Sequence, residues 1–139
     1  MEIENCELGI LGDPEGNHRK EVFRTLLSGF GPPHNKSLID LGSGPCIFPK
    51  IAAELGYAVT AVDARTDRVP QDLGSITFIK HDIKSFEWET RDVTSILGLL
   101  YHFELDEQKK LLEKAAKNSK FVIIDTQVHI PSLVCTPEA

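Results

Sequence analysis

The stretch Ser37–Asp63, SLIDLGSGPCIFPKIAAELGYAVTAVD, decides the fold. Leu38, Ile39 and Leu41 give the apolar run of a strand buried in a parallel sheet. Gly42 and Gly44 let the main chain turn tightly and leave it bare for a ligand. Residues 47–55 predict a short helix, with Pro49 tolerated in its first turn and Gly56 as its stop. The first amides of that helix point into the space above the turn. Tyr57–Asp63 alternates as a second strand and ends in an acid, where a carboxylate can accept from a ribose. The pattern is that of a site for a nucleoside-type cofactor.

The flanking sequence extends the same architecture. His18–Ser28 carries Val22, Phe23, Leu26 and Leu27 at helical spacing, and Gly29, Gly31, Pro32 and Pro33 end it. Further strands are predicted over Ser75–Lys80, Val93–Leu100 and Phe121–Asp125. A helix is predicted over Leu105–Asn118, with Leu105, Leu111, Leu112, Ala115 and Ala116 as its apolar side and a Glu113–Lys117 pair. Five apolar strands separated mostly by crossovers predict an α/β fold with a doubly wound, mostly parallel sheet. The connections Ala64–Gly74 and Ile83–Asp92 are short enough to hold only a helical turn each. Residues 1–35 read as an acidic lead-in and helix, and 36–139 as one α/β domain. The tail after Asp125 has no clear pattern.

Composition bounds the function. The 139 residues fit one domain. The net charge of −6 and pI near 5.3 disfavour a nucleic-acid partner, which needs a basic stripe. The best basic run, His18-Arg19-Lys20, is followed at once by Glu21. No run approaches the ~20 apolar residues of a membrane span, and the acidic start lacks the plan of a signal peptide. Cys6, Cys46 and Cys135 are scattered without metal-ligand spacing, so no metal is expected and reduced thiols in a cytoplasmic protein are.

A dinucleotide turn wants G-x-G-x-x-G, but here the third-glycine position holds Ile47. The alternative, an acid followed by x-G-x-G-x-G, matches Asp40-Leu41-Gly42-Ser43-Gly44-Pro45-Cys46 with Cys46 in place of its last glycine. With Asp63, the acid Asp82 after the third strand, and LGLLYH (Leu97–His102) after the fourth, the chain resembles the class I S-adenosylmethionine-dependent methyltransferases over about Ser37–Thr126. The resemblance implies a Rossmann-like sheet, here lacking the family's last two strands, and S-adenosylmethionine as cofactor. It implies Asp40, Gly42, Ser43 and Gly44 at the cofactor's turn and Asp63 with Ala64 at its ribose. Asp82 with Ile83 falls at the adenine, and Gly98 at the methionine end. Cys46 is expected to add a Cβ near the cofactor.

Methyl transfer needs an acceptor aligned with the S–CH3 bond and, where it carries a proton, a group to take it. His102 is the candidate base and Tyr101 its competitor, each with a structural alternative at a strand end. His129 stands after the fifth strand, and His18 and Arg19 are either surface residues or part of a lid. No N/D-P-P-Y/F run follows the fourth strand, which tilts the acceptor toward a small molecule, a saccharide or a lipid-type compound, with O-methylation favoured. The open sheet edge invites a homodimer or an additional carboxyl-terminal domain. The alternatives are a non-catalytic methyltransferase-like binding or regulatory domain and an NAD-dependent oxidoreductase.

Overall fold

The computed structural model describes residues 16–126, so the readings of Cys6, His129 and Cys135 lie outside it. Helix α1 (Asn17–Ser28) leads into β1 (Ser37–Leu41), α2 (Ile47–Leu55), β2 (Ala58–Asp63) and β3 (Thr77–Lys80). A 3-10 turn at Ile83–Ser85 precedes β4 (Arg91–Leu97), and a second at Leu100–His102 precedes α3 (Leu105–Lys117) and β5 (Ser119–Asp125). Every pairing is parallel and the sheet order is β3-β2-β1-β4-β5. The chain winds out from β1 to β3, then returns to the other side of β1. That reversal puts the switch point between β1 and β4, the crevice where open α/β sheets take ligands.

Strand period places the core. Leu38 faces the layer of α1 and α2 with Phe23, Leu27, Ile51 and Tyr57, whereas Ile39 and Leu41 face Ile96, Leu100 and Leu111 on the other side. The Tyr57 hydroxyl donates to the Leu27 carbonyl at 3.1 Å and ties the end of α1 to the start of β2. Tyr57→Phe is expected to cost about 1 kcal/mol, read as a lower urea midpoint; an unchanged midpoint would show the bond to be idle.

Several predicted details change. Strand β4 ends at Leu97, not Leu100, because Gly98 takes φ 64° and turns the chain out of the sheet. The apolar side of α3 is narrower than its spacing predicts. Leu111 and Ala115 are buried, but Leu105 and Ala116 are exposed, one at the first helical residue and the other rotated about 100° from Ala115. No Glu113–Lys117 pair forms among the described residues; Lys114 instead reaches Glu87 at 2.6 Å. The short connections behave as their length requires: residues 64–76 hold no helix, and Ile83–Ser85 is a single turn. No helix among the described residues is long and apolar enough to cross a membrane.

Candidate functional site

The glycine turn stands at the switch point and is bound to the next strand. Gly42 and Ser43 donate their amides to the Val62 carbonyl at 2.8 and 3.0 Å. Gly42 and Gly44 adopt φ 77° and 51°, left-handed values that side chains resist. Cys46 also adopts φ 62°, but its side chain is fully buried in the layer beneath α1. The side chain is thus packed in the core, and its thiol donates to the Gly44 carbonyl at 3.8 Å. Burial pushes that thiol up, toward the neutral form.

Asp63 closes the turn from β2. Its carboxylate accepts from the Gly44 amide at 2.7 Å and from the Arg65 amide at 2.9 Å, so the acid faces the glycines. Ala64 beside it is exposed. Asp40 lies below, only 3% exposed, and accepts from the Ser95 hydroxyl on β4 at 2.6 Å. Its pKa is pushed up to about 7, chiefly by burial; Ser95 opposes the shift and the charge of Asp63 adds to it. The Ser43 hydroxyl is buried and makes no normal hydrogen bond among the described residues.

Asp82 caps its 3-10 turn through the Lys84 amide at 3.1 Å, and Ile83 is a core residue. Gly98 donates its amide to the Asp125 carbonyl at 2.6 Å and leads into Leu99, Tyr101 and His102. The rings of Tyr101 and His102 lie 4.3 Å apart, and both side chains are exposed. Asp40, Gly42, Ser43, Gly44 and Asp63 thus gather at one point. Asp82 and Ile83 stand beyond β2 at the end of β3, and Gly98 with Tyr101 and His102 stands beyond β4.

Four contacts at these strand ends were not legible in the sequence. A Cβ on Gly44 would lie 2.8 Å from the Arg68 guanidinium, and one on Gly42 would lie 3.0 Å from the end of Leu99. Among the described residues, the nearest groups over the two glycines are thus flexible side chains. Arg19 on α1 pairs with Asp125 at the end of β5 at 2.5 Å and lies 5.1 Å over the Phe48 ring. Neither partner has a local signal, since 106 residues separate them. Among the described residues no group of three or more His, Cys, Asp or Glu side chains could hold a metal ion.

The all-parallel five-stranded order, with a glycine turn after β1 and an acid ending β2, is a Rossmann-like α/β fold. Solved structures share it. Magnesium protoporphyrin IX methyltransferase from Synechocystis PCC 6803, with bound S-adenosylhomocysteine, superposes with a TM-score of 0.65 at 18% identity over 73% of this chain and 51% of that one. WbdD, a bifunctional kinase-methyltransferase, gives 0.66 at 22% over 79% and 28%. A candidate RNA methyltransferase from Pyrococcus horikoshii gives 0.67 at 20% over 83% and 60%. The chain thus spans under two thirds of the length of each. No family model matches the chain, and no curated protein does.

Proposed function

We propose that this chain is an S-adenosylmethionine-dependent methyltransferase domain, its cofactor held by the Gly42–Gly44 turn and Asp63. The observation that carries the reading is the junction of β1 and β2, where the Asp63 carboxylate meets the Gly44 amide beside glycine main chain overlain by the flexible Arg68 and Leu99 side chains. The residues fit the group. A carboxylate has about four acceptor positions; the Gly44 and Arg65 amides use two, which leaves capacity for both ribose hydroxyls. One oxygen of Asp82 caps its own turn and the other can accept from an adenine amine. Gly98 would stand at the methionine end.

When bound, the cofactor supplies an activated methyl group on sulfur. The chain's own part is to align an acceptor and take its proton, for which His102 is the proposed base and Tyr101 the competitor. The acceptor is proposed to be a small molecule, a saccharide or a lipid-type compound, with oxygen as the methylated atom. The acidic balance supports this over nucleic acid, and the same balance with its buried free Cys46 supports a cytoplasmic setting. Calorimetric titration with S-adenosylhomocysteine, with NAD as control, tests the reading. Saturable micromolar binding of the first alone is expected; binding of NAD alone would assign the turn to an oxidoreductase.

Arg68 supplies a second test. Because its guanidinium lies on Gly44, a ligand approaching that glycine must displace it, and the competent fraction limits apparent affinity. Arg68→Ala is expected to tighten S-adenosylhomocysteine binding by roughly three- to tenfold. Weaker binding in the variant would make Arg68 a ligand contact instead.

A further inference from the structure

Helix α1 carries two apolar pairs, and the sheet uses one. Phe23 and Leu27 are buried, while Val22 and Leu26, one turn apart, remain 43% and 41% exposed. They face Phe48, Leu97, Ile123 and Ile124 across a cavity of about 320 Å³, within the ~300–1,000 Å³ range of small-molecule sites. Ile124 is itself 46% exposed. The cavity's polar groups are the Arg19–Asp125 pair, His18 and Thr126. Arg19 also stands 3.6 Å from where a Cβ on Gly98 would lie, so the charged pair adjoins the end of β4 at the switch point.

We propose that this cavity takes the body of the methyl acceptor, and that the acceptor is an amphiphile: a hydrocarbon or aromatic body with one polar group received by the Arg19–Asp125 pair beside Gly98. The inference rests on the methyltransferase reading above and narrows it. Three kinds of evidence favour this occupant. The wall is apolar at seven side chains, so most of a sugar's hydroxyls would lose water there without regaining partners. The mouth carries a cation and an anion in contact, which suits a single hydroxyl that donates to Asp125 and accepts from Arg19. The pair lies against Gly98, where the reading places the reacting end of the cofactor.

The test titrates the full chain with 2-naphthol, 1-octanol and maltose, with S-adenosylhomocysteine titrated separately. Both apolar alcohols are expected to bind saturably and maltose not at all. Leu26→Glu, at an already exposed position, is expected to weaken the alcohols at least tenfold and leave S-adenosylhomocysteine binding in place. The inference is overturned if S-adenosylhomocysteine binds but the alcohols do not, which would mean that chain or a partner covers the cavity. Maltose binding in their place, or alcohol binding indifferent to Leu26→Glu, overturns it too, and in all three cases the cofactor reading survives. If S-adenosylhomocysteine itself fails to bind the folded chain, the methyltransferase reading falls and the acceptor role falls with it.

Discussion

An Asp63→Ala chain is expected to bind S-adenosylhomocysteine at least ~100-fold more weakly than the natural one, a loss of about 3 kcal/mol. Two effects combine. The carboxylate is the proposed acceptor for two ribose hydroxyls, and hydrogen bonds to a charged group contribute ~1.5–3 kcal/mol each. It also holds the Gly44 and Arg65 amides, so its removal slackens the turn that forms the other wall of the site. Asp63→Asn, which keeps one acceptor oxygen and the shape, should lose less. Calorimetry on both variants, with thermal melts to confirm folding, decides the matter. A loss below tenfold in a folded Ala variant would remove Asp63 from the cofactor site.

Asp40→Asn tests the buried acid beneath the turn. The folded pKa of about 7 stands above the ordinary carboxyl value of 3.8. A carboxyl raised on folding contributes stability that is complete below about pH 4 and is lost as pH climbs through about 7. Across that window the single group weakens the fold by up to roughly 4 kcal/mol. Asparagine keeps the shape and never ionises. The variant is therefore expected to be about 2–4 kcal/mol more stable than the natural chain at pH 8 and nearly equal to it at pH 4. Urea unfolding at the two pH values measures this, and parallel pH profiles for the two chains would show that Asp40 does not titrate as its burial demands.

Much of the fold was legible because its rules are local. The strand read from the apolar run of Leu38, Ile39 and Leu41 is β1, and the helix predicted over 47–55 spans Ile47–Leu55. Period two, glycine at left-handed positions and a glycine stop act within a few residues, and so can be read there. Strand β4 was misjudged at its end for the same kind of reason: LGLL continues the apolar run, and only the φ of Gly98 breaks it.

The candidate site divides along that line. Sequence by itself determined the parallel α/β class and the approach of Asp63 to the glycine turn, because a strand, a tight turn and a return strand bring those residues together with little freedom left. Tertiary structure alone decided that Cys46 points into the core, that Arg68 and Leu99 lie over the two glycines, and that Arg19 meets Asp125. It also decided which of the equally spaced apolar residues on α1 would be buried and which would stay exposed beside a cavity. Helical spacing places Val22, Phe23, Leu26 and Leu27 on neighbouring stripes, and only the position of the sheet beneath the helix chooses between them.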